Sequence, residues 1–167
     1  EMKDRQEQLQ YLSYRDLLTN LYNRNYYIRL LEKSRGRCFK NIGVVYIDLN
    51  GLKQINDEQG HEAGDSFIRR AAQQIVAVFP EHTYRIGGDE FCAVIRHARS
   101  EWVEERLRRL EYLEWKYNEG KMDVPMRIAY GYAIFDEQYD KNMEETRNRA
   151  DVKMYEKKRA IKAEERK

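Results

Sequence analysis

The sequence is poor in cysteine, with 2 in 167 residues. Cys38 and Cys92 form neither a disulfide framework nor a metal-type cluster. Each sits beside apolar residues, so both are expected to be buried free thiols, which fits a reducing, cytosolic setting. No run of about 18 apolar residues occurs, which excludes a helical membrane span. No charged-then-apolar leader opens the chain. An excess of one charge is missing too. Lys+Arg 31 against Asp+Glu 29 leaves +2, too balanced for a protein built to coat nucleic acid. Neither a nucleic-acid partner nor membrane contact by this segment is therefore expected. Internal repeats and low-complexity segments are also absent.

What is present is enough to fold. Apolar residues make up 41% and charged residues 36%, which separates the chain from disordered sequences that lack apolar surface. The length suits one domain with a short extension. Such a domain buries roughly 70% of the surface its unfolded chain exposes. The chain starts without an initiator Met, which is read as a segment of a longer protein.

Residues 1–18 are charged and free of Gly and Pro, with Met2, Leu9 and Leu12 at heptad-like spacing. That pattern predicts a stalk helix ahead of a domain at 19–167. A solvated helix lying on the domain is the other reading. A turn over Leu17–Arg24 leads into a helix at about Asn25–Ser34. Ile42–Ile47 is an apolar run rich in β-branched residues, expected as a central strand covered on both faces and ending at Asp48. Residues 50–64 carry Gly51, Gly60 and Gly64 and read as a loop or short helix followed by a turn. Ile68, Ala71, Ala72, Ile75, Val78 and Phe79 recur at helical spacing, with Asp65 expected as the N-terminal cap and Pro80 as the stop. Thr83–Ile86 and Phe91–Ile95 read as two strands joined through Gly87-Gly88-Asp89-Glu90, the glycines supplying positive φ. A charged helix over 100–118 is expected to pack Trp102, Leu107, Leu110 and Leu113, with Trp115 also a packing residue. Met126–Ile134 alternates as a long strand. Met143, Ala150, Met154 and Ile161 mark one stripe of a C-terminal helix. The fold class is thus α/β (α+β): a central, mainly antiparallel sheet with a βαββαβ palm-like core flanked by helices.

Two carboxylate positions carry the chemistry. Asp48 closes a buried strand; Asp89 and Glu90 lie in the two-glycine bend. In a palm-type sheet these strands are neighbours, so the acids converge. Converging carboxylates repel unless a divalent cation neutralises them. Hard oxygen ligands suit Mg²⁺, which shares its shell with water and substrate phosphates. Paired ions can clamp the two oxygens of an in-line phosphoryl or nucleotidyl transfer. Gly87 and Gly88 let a bulky substrate approach the backbone. Lys53 and the Lys158–Lys162 segment offer cations to a polyphosphate. Asn56 and Asp65 offer an amide and a carboxylate that suit a guanine edge. Each residue also has a plainer reading taken singly. The glycine bend is an ordinary turn, Asp48 a cap, Lys53 a solvated side chain, Asn56-Asp57 a turn, and the late lysines a helix end answering its dipole. His61 reads as a turn residue rather than a metal ligand.

Taken together, the motifs resemble the GGDEF family of diguanylate cyclases. Asp48-Leu49-Asn50-Gly51-Leu52-Lys53-Gln54-Ile55-Asn56-Asp57 is followed by Gly60-His61-Glu62-Ala63-Gly64-Asp65 and by Arg85-Ile86-Gly87-Gly88-Asp89-Glu90-Phe91. Asp16–Arg24 is similar to the family's opening motif, and Ala150-Asp151 through Met154-Tyr155 and Lys158 to its closing one. The resemblance runs from about Asp16 to Lys162.

It implies a domain that condenses two GTP into the bacterial second messenger cyclic di-GMP, with release of pyrophosphate. By that resemblance Asp48, Asp89 and the Leu49 carbonyl hold two Mg²⁺ ions, or Mn²⁺ in their place. Asp89, aided by Glu90, activates the attacking 3′-hydroxyl. Asn56 and Asp65 hold guanine. Lys53, Lys158 and Lys162 hold phosphates, with Gly87 and Gly88 beside the nucleotide and Arg85 assisting charge stabilisation. The product's two halves imply a homodimer, and the stalk implies an upstream sensor, in the cytoplasm or on the cytoplasmic side of a longer membrane-bound protein.

Three positions depart from the family pattern. Asn50 stands where Asp is common, Asn20 where Gly is usual, and Lys162 where Arg is common. Asn tolerates left-handed geometry, so the turn at Asn20 should survive. Lys162 loses bidentate phosphate contact. The inhibitory Arg-x-x-Asp is replaced by Val78-Phe79-Pro80-Glu81, so no inhibitory product site is expected. The competing reading is a catalytically silent GGDEF domain that acts as a GTP-binding regulatory or dimerisation module.

Overall fold

A computed structural model describes residues 1–37, 40–120 and 123–167. Ten elements follow in order: α1 (Met2–Tyr14), α2 (Arg24–Ser34), β1 (Gly43–Asn50), α3 (Leu52–Gln59), α4 (His61–Val78), β2 (Thr83–Arg85), β3 (Glu90–Ile95), α5 (Ser100–Asn118), β4 (Arg127–Ile134) and α6 (Met143–Glu165). The four strands form one antiparallel sheet in the order β2-β3-β1-β4. This is the βαββαβ arrangement expected from the strand pattern, with β1 at the centre.

Strand alternation divides the core. Val45, Ile47 and Leu49 of β1 point toward α4 and α5, where Ile68, Ile75, Val103 and Leu107 complete one layer. Val44 and Tyr46 point the other way, toward α2 and α6, where Tyr27, Ala150 and Met154 complete the second layer together with Tyr84 of β2. A strand buried on both faces has no polar alternation, which is why β1 reads as a continuous apolar run.

Several local expectations change. Of the two readings of residues 50–64 the short helix holds, but Gly60 leads directly into a second helix: Gly51 and Gly60 adopt φ of 97° and 92° and separate α3 and α4 from what precedes them. α4 therefore starts at His61, and Asp65 lies in its second turn rather than at its cap. Gly87 and Gly88 are not among the glycines with positive φ; the bend is closed instead by Ile86 N–H donating to the Glu90 carbonyl at 2.8 Å. Trp115 is 54% exposed, with its ring 5.8 Å from the exposed Tyr112 ring, and Trp102 is 37% exposed with Arg106 over its ring. Neither tryptophan is core, because α5 turns Val103, Leu107 and Leu110 inward instead. Asn20 does adopt φ 61°. Cys92 is a buried free thiol; Cys38 lies outside the described residues.

α1 buries none of its residues, and Met2 and Leu9 are 89% and 62% exposed. Only its C-terminal end is tied down. The Asn23 side chain donates to the Ser13 carbonyl at 2.8 Å and caps α2 by accepting from Tyr26 N–H. Tyr14 and Tyr26 rings lie 4.6 Å apart.

α6 crosses β4 at very close range. A Cβ on Gly131 would lie 2.3 Å from the Ala150 carbonyl oxygen and 2.3 Å from the Met154 nitrogen, both main-chain atoms that cannot rotate away. The start of α6 is fastened separately. Buried Asp140 accepts from Arg149 Nε at 2.8 Å, from Thr146 Oγ1 at 3.0 Å and from Asp136 N–H at 3.1 Å. Burial would raise the Asp140 pKa, but these partners outweigh it and hold the carboxyl below its ordinary range.

Gly131→Ala is expected to cost about 3 kcal/mol by overpacking, read as a lower denaturant midpoint at unchanged slope. Asp140→Asn is expected to lower the melting temperature by a constant amount at neutral and weakly acidic pH. Because the folded pKa is depressed, that difference is present above the unfolded value and shrinks as pH falls below about 4. A difference that persisted undiminished at lower pH would show that the ionised carboxylate is not the stabilising form.

Candidate active site

The site lies where β1 ends. Antiparallel pairing sets Asp48 opposite Glu90, and Leu49 N–H donates to the Asp89 carbonyl at 2.8 Å. β1 runs on to Asn50 rather than ending at Asp48, because β4 pairs Leu49 and Asn50, and the backbone ladder itself brings Asp48 together with the acids of the glycine bend. Asp48 is 1% exposed. One of its oxygens, Oδ2, is paired with Lys158 of α6; the other, Oδ1, is buried without a hydrogen-bond partner. Burial pushes the Asp48 pKa up, as do the nearby Asp89 and Glu90 charges, against the pull of Lys158. Burial alone would lower the Lys158 pKa, but its bond to Asp48 and the surrounding carboxylates raise it. Tyr46, two residues before Asp48 on the same face, donates to Glu90 Oε2 at 3.2 Å and holds that side chain in place.

Beside this cluster is a cavity of about 550 Å³. Leu49, Lys53, Asp89, Lys158 and Lys162 all line it, so three of the anticipated cations and two of the anticipated metal-site residues share one space. Lys158 and Lys162 are one helical turn apart and present the same face of α6. Asn50 also lines the cavity, and its Nδ2 is buried without a partner.

The other anticipated residues, Asn56, Asp65, Arg85, Gly87, Gly88 and Glu90, do not line this space. Asn56 of α3 lies over α4: its Oδ1 is 1.8 Å from where a Cβ of Gly64 would stand, next in sequence to Asp65. Gly64 therefore makes room for the Asn56 amide beside Asp65. Neither residue lines the cavity. A Cβ on Gly88 would meet nothing within 4 Å, so the bend faces open space. Arg85 has partners of its own. It donates to the carbonyls of Gly87 at 3.2 Å and Gly88 at 3.0 Å, and pairs with Asp16 at 3.2 Å. It organises the bend rather than lining the cavity.

Sequence reasoning missed Tyr46 as the holder of Glu90 and Arg127 as a cavity residue. The alternation Val44, Tyr46, Asp48 carried a signal for the first. Arg127 lines the cavity because β4 pairs it with Asn50, a register that no local pattern states.

The donor set fits a divalent cation. Among the described residues no three His, Cys, Asp or Glu side chains gather as a full ligand set. A cation here would join an unpartnered buried carboxylate oxygen to a neighbouring acid and complete its shell with a backbone carbonyl, water and phosphate, as Mg²⁺ does.

The family model described as diguanylate cyclase, GGDEF domain, matches residues 13–164. The chain belongs to the GGDEF family. The diguanylate cyclase DosC of Escherichia coli K12 is 30% identical over 129 residues, which cover 72% of this GGDEF domain's chain and 28% of DosC. The cyclic di-GMP phosphodiesterase PdeR of the same organism is 32% identical over 134 residues, 77% of this chain and 20% of PdeR. The chain therefore spans less than a third of these curated relatives. Among solved structures, the coiled coil and GGDEF domain of DgcB from Caulobacter crescentus, in complex with c-di-GMP, superposes with a TM-score of 0.79 at 24% identity. The match covers 95% of this chain and 87% of that one. At that identity the likeness establishes the fold.

A group whose folded pKa is raised is less stable ionised in the protein than in water, so Asp48 weakens the fold of the GGDEF domain at neutral pH. Asp48→Asn is expected to raise the melting temperature by about 2 °C at pH 7, with the gain vanishing at acid pH where Asp48 is protonated. Scanning calorimetry at two pH values checks this; a lower melting temperature at pH 7 would mean that the Lys158 pair dominates.

Proposed function

We propose that this GGDEF domain is a diguanylate cyclase that joins two GTP molecules into cyclic di-GMP and releases pyrophosphate. The observation that carries the reading is the single cavity shared by Leu49, Asp89, Lys53, Lys158 and Lys162 beside buried Asp48. Carboxylates and lysines lining one space suit a triphosphate and its counter-cations.

In this reading Asp48, Asp89 and the Leu49 carbonyl hold Mg²⁺. When bound, the metal supplies charge neutralisation at the α-phosphate and acidifies the attacking hydroxyl. Lys53, Lys158 and Lys162 bind the phosphates, and Lys158 exchanges the Asp48 carboxylate for phosphate oxygens. Asp89 takes the proton from the 3′-hydroxyl, with Glu90 beside it held by Tyr46. Asn56 and Asp65 bind the guanine edge. Arg85, braced on Asp16, keeps the Gly87-Gly88 backbone in place against the nucleotide.

One domain presents one GTP, so two copies must face each other to make a two-fold product. In the same reading α1 is a stalk through which two copies pair and an upstream sensor sets their orientation. Its exposed Met2, Leu9 and Leu12 supply the apolar edge for such pairing. With Val78-Phe79-Pro80-Glu81 in place of the inhibitory motif, the cyclase is not inhibited by product at that position.

Asn50 and the likeness to PdeR favour a second reading, a silent GTP-binding module. The two are separated by incubating a dimer, formed through a zipper fused ahead of residue 1, with GTP and Mg²⁺ and identifying the product by mass spectrometry. Cyclic di-GMP is expected, with turnover lowered about 100-fold or more by Asp89→Ala. GTP binding without turnover would select the silent module, and a different product would overturn both.

A further inference from the structure

A second cleft, of about 410 Å³, opens at the other end of β1. Its floor is apolar and largely buried: Ile42, Tyr84, Val94 and Met143, with Tyr26 and Leu30 as walls. Its rim is cationic. Arg29, Lys33, Lys40 and Arg96 are all exposed, and no Asp or Glu lines the cleft. Among the described residues, Lys33, Lys40 and Arg96 form no ion pair; Arg29 donates to the Tyr14 hydroxyl.

The cleft is separate from the GTP cavity. Ile42 and Asp48 lie on the same face of the central strand, six residues apart, which at roughly 3.3 Å per residue is about 20 Å. The chemistry also differs. The first cavity mixes carboxylates with lysines, as a metal–triphosphate site needs. The second has cations and two histidines, His82 and His97, and no carboxylate around an apolar floor.

Like charges gathered without counter-ions repel, and an apolar floor exposed to water is unfavourable. One ligand type relieves both: a flat or chain-like apolar body that ends in an acidic group. Beyond its cations the lining carries His82, His97 and two tyrosines, while Ile42, Val94 and Met143 of the floor offer no polar side-chain atom but the Met143 thioether, so a nucleobase or sugar seated on that floor would leave polar edges unpaired. We propose that this cleft is a binding site for a small amphiphilic anion, an aromatic or acyl body bearing a carboxylate, sulfonate or phosphate. The assignment is independent of the cyclase reading, since it uses none of the residues that bind GTP.

Two fluorescent probes with the same aromatic skeleton test it: 8-anilino-1-naphthalenesulfonate, which carries the acid, and N-phenyl-1-naphthylamine, which does not. The sulfonate is expected to bind the folded chain one to one, and the uncharged probe about tenfold more weakly. The paired variant Lys33→Glu/Arg96→Glu is expected to weaken sulfonate binding by about tenfold or more at an unchanged melting temperature. The same charge reversal at Lys3 and Arg109, exposed residues outside the cleft, leaves it intact. Excess GTP with Mg²⁺ does not displace the probe. Equal binding of both probes, displacement by GTP, or loss of binding in the Lys3/Arg109 variant would each overturn the proposal.

Discussion

The site depends on one register. β1 and β3 pair so that Asp48 faces Glu90 and the Leu49 amide reaches the Asp89 carbonyl. Side chains alternate with a period of two, so a slip of one residue would send Asp48 into the α4–α5 layer and remove it from the other acids. The apolar residues on both faces of β1 prevent that slip, because Val45 and Ile47 fit one layer and Val44 and Tyr46 the other. The same burial that secures the strand strips water from Asp48, leaves Oδ1 without a partner and raises its pKa. Fold stability and site chemistry are therefore opposed at this residue.

Lys158 moderates that opposition. It reaches Asp48 from α6, whose distance from the sheet is set by Gly131 and whose start is anchored through Asp140 and Arg149. A glycine in the middle of a strand is normally a weakness. Here it lets a helix backbone pass where any side chain would collide, and that proximity brings two lysines to the cavity. Arg85 has a comparable function on the other side, linking the Asp16 turn to the glycine bend. Both are supports whose value appears only through the residues they position.

Much of this was legible in the chain. The apolar run of β1, the helical period of α4, the alternation of β4 and the stripe on α6 each come from burial against a neighbouring layer, so local pattern reports them faithfully. The acids were legible because they interrupt such patterns. Other features were not. α3 is short and polar, and its flanking glycines left loop and short helix both open. Asp65 looked like a cap because Asp suits one, yet Gly60 is the helix boundary. Trp102 and Trp115 looked like core by residue type, but the rotational phase of α5 turned them outward.

The sequence by itself determined the strand and helix order, the two acids and the late lysines, since these follow from periodicity and residue chemistry along the chain. Only the tertiary structure decided which of them share a space. It committed Arg85 to Asp16 and the bend, put Arg127 beside Asn50, and gathered cations around an apolar cleft at the far end of β1. These outcomes depend on strand register and on how closely helices cross the sheet. Both are set by contacts between residues distant in the chain, which no local pattern encodes.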